Sequence, residues 1–161
     1  MKTLLIFLVG LLTSAPLLAQ NSLSLVRNKA QVIASQLNDN FSTSGAGLPT
    51  EFNYQQRKIY AVPISVAERY GGNGYDQYIA VYELSNDSRS QNQSSPPSYS
   101  LIAFSKVGAK MWRSIKFESI QFANDTFYFD AIRWGPNDPG CCPSQEVRIG
   151  YRITDFGLVE I

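Results

Sequence analysis

The chain has 161 residues, 14 basic and 13 acidic side chains, a formal net charge of +1 and no histidine. That balance lacks the concentrated positive field that gripping a phosphate backbone demands, so nucleic acid is not an expected partner. The missing histidine excludes Ser-His-Asp and Cys-His nucleophilic sites, imidazole acid/base catalysis and every metal site built on imidazole.

The N-terminus begins Met1-Lys2, continues through an apolar run from Leu4 to Leu18 and reaches Ala19 before the polar Gln20-Asn21-Ser22. Charge, apolar stretch and small residue in that order mark a cleaved export signal, so residues 1-19 read as a signal peptide. The run is shorter than the ~20 apolar residues of a membrane span, and no cysteine follows it to carry a lipid. The expectation is a periplasmic or secreted protein with no membrane anchor after cleavage. About 140 residues remain, enough for one domain with its own core.

From Ser24 to Leu37, Leu25, Val26, Ala30, Ile33, Ala34 and Leu37 recur at three- and four-residue steps, which predicts an amphipathic helix. Its polar face carries Arg27, Lys29 and Gln31. Residues 38 to 57, rich in Ser, Thr, Asn and Gly, show no period and read as a surface connection, so 20-57 is taken as helix plus connection. Beyond it, 58-161 reads as the antiparallel β region of the same single domain. Short aromatic and β-branched runs predict strands near 58 to 67, 76 to 84, 99 to 107, 113 to 122, 126 to 134 and 146 to 154, with a possible last one at 157 to 160. The expected fold class is α+β: an N-terminal helix packed on a twisted, mostly antiparallel sheet of five or six strands.

Ser85 to Ser98 has too little apolar content to pack and reads as a solvated hairpin loop. Asn124-Asp125 suits a two-residue hairpin turn, which would set Phe122 against Phe127, Ile120 against Phe129, Phe117 against Ile132 and Ile115 against Trp134. That register puts Glu118 and Asp130 on opposite faces, so they are not read as a catalytic pair.

The last two long strands are joined by Gly135-Pro136-Asn137-Asp138-Pro139-Gly140-Cys141-Cys142-Pro143-Ser144-Gln145. Hairpin loops usually hold two to five residues, and this one is about twice as long as the upper figure. Three prolines restrict its backbone. Cys141 and Cys142 are the chain's only cysteines. In an oxidising compartment each has one partner within the chain, its neighbour. Such a bridge encloses almost no loop and adds little global stability. It is expected to lock the turn, to present a hard sulfur surface to a ligand, or to act as a reducible switch; free thiols or pairing between chains are the alternatives. Zinc would need more ligands than two adjacent cysteines supply. Asp138 and Asp130 lack the spacing of a calcium loop, and Asp138 is expected to bond nearby backbone N–H groups. No cofactor is expected.

The loop, followed by Val147, Ile149, Tyr151 and Ile153, resembles the C-terminal motif of a poorly characterised group of exported bacterial proteins, some of them actinobacterial surface lipoproteins. Tyr60-Ala61-Val62-Pro63-Ile64, Gly71-Gly72-Asn73-Gly74 and Tyr78-Ile79-Ala80-Val81-Tyr82 lie in the order that group shows. The most specific part is the D-P-x-C-C-P-S string, Asp138 to Ser144. The resemblance implies export and this loop; it implies no activity and transfers no catalytic residue. The chain departs from the lipoprotein members in lacking an anchoring cysteine.

The functional expectation is a non-enzymatic binding or interaction domain, with Trp134, Asp138, Cys141 and Cys142 as its contact residues. Its partner would be a protein or small molecule in the envelope or outside the cell. The alternatives are a thiol-based redox or metal-responsive periplasmic protein, and a histidine-free hydrolase acting in the envelope.

Overall fold

The computed structural model describes residues 15–38, 42–68, 74–85 and 97–161, with side chains from Ser22 onward. Most of the expected signal peptide, the Gly71-Gly72-Asn73 turn and nearly all of the Ser85 to Ser98 loop lie outside the described residues. Among the described residues, one helix, α1 (Ala15–Gln36), precedes nine strands: β1 (Ser42–Ala46), β2 (Thr50–Tyr54), β3 (Arg57–Glu68), β4 (Tyr75–Ser85), β5 (Ser98–Ala109), β6 (Arg113–Ala123), β7 (Thr126–Arg133), β8 (Gln145–Thr154) and β9 (Gly157–Glu160). All pairings are antiparallel and form one sheet in the order β1-β3-β4-β5-β6-β7-β8-β9, with β2 also on β3. The expected α+β class with five or six strands is overturned: the molecule is mostly β, and its sheet has nine strands.

Two of the additional strands, β1 and β2, lie in the segment read as a connection, and β9 is the last short strand at 157 to 160. β1, Ser-Thr-Ser-Gly-Ala, carries no hydrophobic alternation, because main-chain pairing and polar groups of α1 hold it in place. The Ala46 N–H donates to Gln31 Oε1 (3.0 Å), Arg27 Nε donates to the Ala46 carbonyl (3.2 Å), and Ser44 Oγ donates to the Ala34 carbonyl. β2 is tied to β3 through a two-residue turn in which Gln55 and Gln56 have φ of 47° and 63°. Asn and Gly usually occupy such positions, so glutamines there send no turn signal. The helix also starts earlier than expected and runs unbroken across Ala19-Gln20.

Strand alternation sorts the side chains into two cores. Val26, Ala30 and Ala34 of α1 lie fully buried on Tyr60, Val62 and Ile64 of β3 and on Ala80 and Tyr82 of β4. The opposite face of those strands, with Ile59, Ala61, Ile79 and Val81, meets Ile115, Phe127, Phe129, Ala131 and Ile149 from the second half of the sheet. The sheet therefore curls so that β3–β5 and β6–β8 face each other, and β3 and β4 are covered on both sides. At the corner, β5 and β6 share one pairing, Ala109 with Arg113. Across the curl, the Phe52 and Phe122 rings stand 5.7 Å apart.

Asn124 and Asp125 make the expected turn, with φ of 50° and 60°, and Phe122 pairs with Phe127. Further along, the register shifts by three: Lys116 pairs with Asp130 and Ile115 with Ala131, instead of Ile115 with Trp134. Residues 117 to 120 form the excursion, and Ser119 bridges it. Its hydroxyl donates to the Lys116 carbonyl (2.6 Å) and accepts from the Asp130 N–H (2.8 Å), replacing missing ladder bonds.

Candidate functional site

β7 and β8 end their pairing at Arg133 and Gln145, and the cysteine loop spans the gap. Its closure rests on Asp138. One carboxylate oxygen accepts from the N–H of Gly135 (2.7 Å) and of Ser144 (2.8 Å), and the other accepts from Ser144 Oγ (2.7 Å). These bonds to the charged form, led by the Gly135 N–H, hold the Asp138 carboxyl below the ordinary aspartate value. Two further turns stiffen the loop, Asp138 N–H to the Gly135 carbonyl (3.2 Å) and Cys142 N–H to the Pro139 carbonyl (3.0 Å). A Cβ on Gly135 would stand 2.9 Å from Gln145 Nε2, the mobile end of an exposed side chain that can shift to admit it. Asp138 thus spends most of its acceptor capacity inside the loop.

Cys141 and Cys142 are joined by a disulfide between neighbours whose Cα atoms lie 3.8 Å apart, the spacing of a trans peptide. Both are exposed, so the ring faces solvent rather than being buried against Trp134. Trp134 lies half-buried at the loop's root. Its main-chain N–H donates to the Trp112 carbonyl (3.4 Å), its ring stands 6.5 Å from that of Tyr75, and its buried indole Nε1 finds no acceptor among the described residues. Of the four expected contact residues, the two cysteines are presented outward, Asp138 braces them, and Trp134 anchors the loop against the β5–β6 turn.

That turn is what sequence reasoning missed. The Trp112 N–H closes it on the Ala109 carbonyl (3.2 Å), and Met111 at its third position has a φ of 64°. A left-handed backbone costs a residue with a Cβ about 1 kcal/mol or more, yet the methionine side chain is 61% exposed and gains little burial in return. Its Sδ lies against the cysteine loop, 3.8 Å from where a Cβ on Gly140 would stand. Trp112 beside it is 39% exposed. The available signal was a Met-Trp pair between two strands, where turn chemistry favours small or polar residues.

The underside of Trp112 is fixed by the interior. The Arg113 guanidinium lies 3.8 Å from the indole centroid and is itself fully buried. It donates to the Val107 carbonyl (2.7 Å), to both carboxylate oxygens of Glu160 (2.6 and 2.7 Å) and to the Tyr151 hydroxyl. The bond from Arg113 holds Glu160 below the usual carboxylate value, and burial pushes Tyr151 up to about 12. Beyond the turn opens a cleft of about 490 Å³ between the end of α1 and β3–β5, lined in part by Leu37, Val66, Tyr75, Lys106 and Met111.

The remaining expectations find little here. Asp130 faces Lys116 and lies 3.7 Å from Arg148, while Glu118 lines a separate apolar recess with Phe117 and Ile120, so these two carboxylates do not converge. Among the described residues no group of three or more Cys, Asp or Glu side chains is arranged to hold a metal ion. No described helix is long and apolar enough to cross a membrane. No protein-family model, curated protein or solved structure matches this chain.

Proposed function

We propose that this is an exported, non-enzymatic binding domain, akin to the proteins its Asp138 to Ser144 string resembles. Its contact face would combine the Cys141-Cys142 ring with Met111 and Trp112. One observation carries the reading: an exposed disulfide between neighbours sits on a loop already braced by Asp138, beside two large exposed side chains at a strained turn. A bridge needed only to close the loop would duplicate that brace. The disulfide ring and the stacked indole give a partner apolar area at low cost in conformational entropy, and the flexible Met111 thioether can adapt to its shape. The export part rests on the composition of the first 19 residues and on the oxidising setting that a disulfide needs.

The test is comparative capture from envelope and secreted extracts. Cys141→Ser/Cys142→Ser and Trp112→Ala should each lose most of what the unaltered protein retains. Phe156→Ser, at the β8–β9 turn on the far end of β8, should retain it. Equal capture by all four proteins would refute the contact face.

A further inference from the structure

We propose that, once its disulfide is reduced, this loop is a three-sulfur binding site for Cu(I), with Cys141, Cys142 and Met111 as donors. The inference shares the exposed loop with the proposed contact face but needs no macromolecular partner.

Three observations converge on it. Met111 Sδ lies against Gly140, the residue before the cysteine pair, and its side chain is exposed despite a left-handed backbone. The thioether therefore stands beside the residue that precedes the cysteine pair, without belonging to either core. The donor set is also purely sulfur. The chain has no histidine, and Asp138, the nearest carboxylate within the loop, is engaged by Gly135 and Ser144. Soft thiolate and thioether ligands select Cu(I), whereas zinc normally needs four ligands and calcium wants oxygen.

The third observation is that the bridge can open without loss of the loop. The Asp138 bonds join its two ends, the turns at Gly135–Asp138 and Pro139–Cys142 are made by main-chain groups, and prolines restrict the rest. A ring between neighbours removes almost no chain entropy from the unfolded state, so its opening leaves global stability nearly unchanged. Both cysteines are exposed to an attacking thiolate.

The chemistry closes with a dithiol as reductant. Its thiolate attacks one cysteine sulfur, the Cys141–Cys142 bond breaks, and a mixed disulfide forms. Its second thiolate then releases the protein. Two electrons and two protons pass to the cysteines, and the reductant leaves as its own disulfide. Cu(I) next displaces both thiol protons to solvent and forms two copper–thiolate bonds, with the neutral Met111 thioether as third donor.

The experiment is an anaerobic titration of the full protein with Cu(I) supplied as its coloured bicinchoninate complex, the loss of colour reporting transfer. The reduced protein, freed of dithiol by gel filtration, should withdraw one equivalent, and the oxidised protein none. Met111→Leu should weaken binding roughly tenfold or more, since losing even a supporting partner of a metal ligand costs 10- to 100-fold. Cys141→Ser should abolish it, and circular dichroism should show both variants folded. No transfer to the reduced protein, equal transfer to the oxidised one, or undiminished affinity in Met111→Leu would each overturn the site. Capture of a partner is a separate readout on the oxidised protein, so either reading can fail while the other stands.

Discussion

Two polar clusters anchored on a charged side chain lie close together, and they act over different ranges. Around Arg113, a fully buried guanidinium joins β5, β6, β8 and β9 through Val107, Tyr151 and Glu160. Around Asp138, a carboxylate gathers groups three and six residues away and holds a single surface loop. The first cluster ties strands distant in sequence and therefore bears on global stability. The second restrains only what it encloses. Trp112 is the element between them, stacked on the Arg113 guanidinium from below, with its carbonyl bonded to the Trp134 N–H at the root of the loop.

The contrast breaks most visibly at Arg113. Arg113→Ala leaves the Glu160 carboxylate and the Tyr151 hydroxyl without their cation, and such a loss costs about 3–5 kcal/mol for a buried pair. Urea unfolding should show a loss of that order. Glu160→Gln should cost less, about 2 kcal/mol, because the Glu160 side chain is 40% exposed and water compensates part of the missing charge.

Acid separates the two clusters without mutation. Glu160 and Asp138 both sit below their ordinary values of 4.5 and 3.8. For each, the stabilisation is present above that ordinary value and is lost as pH falls through the lower folded one. Below about pH 4 the unfolding midpoint should therefore fall in unaltered protein, and Glu160→Gln should flatten that slope. Asp138→Asn should flatten it too, but by less, because its bonds lie in an exposed surface loop.

At neutral pH, Asp138→Asn should act locally, speeding hydrogen exchange at the Gly135 and Ser144 amides while the unfolding midpoint stays nearly constant. The smallest effect is expected from Cys141→Ser/Cys142→Ser, within about 0.5 kcal/mol of unaltered protein, as for surface changes away from structural staples.

How much of this was legible in the sequence follows from which forces leave a pattern. β3 to β8 bury apolar side chains, so their alternation shows, and Asn124-Asp125 announces its turn through residues that tolerate positive φ. β1 is held by backbone pairing and by Gln31, Arg27 and Ser44, which leave no apolar signature. The turn before β3 hides because glutamines occupy it. The excursion in β6 depends on one serine hydroxyl standing in for ladder bonds, a contact with no periodic trace. At the candidate site, the cysteine pair and Asp138 could be singled out from their loop. Met111 and Trp112 showed only as an apolar pair out of place between two strands, and the fold of the β5–β6 corner is what brings them beside the loop.

Asp138, and not the disulfide, keeps the loop in shape, which leaves the sulfurs free for another role. Hydrogen exchange of the folded protein before and after reduction tests it most directly. The Gly135, Asp138 and Ser144 amides should keep their protection once Cys141 and Cys142 are thiols. Rapid exchange at those amides, with a lower unfolding midpoint in the reduced protein, would show the bridge to be a structural staple and contradict it.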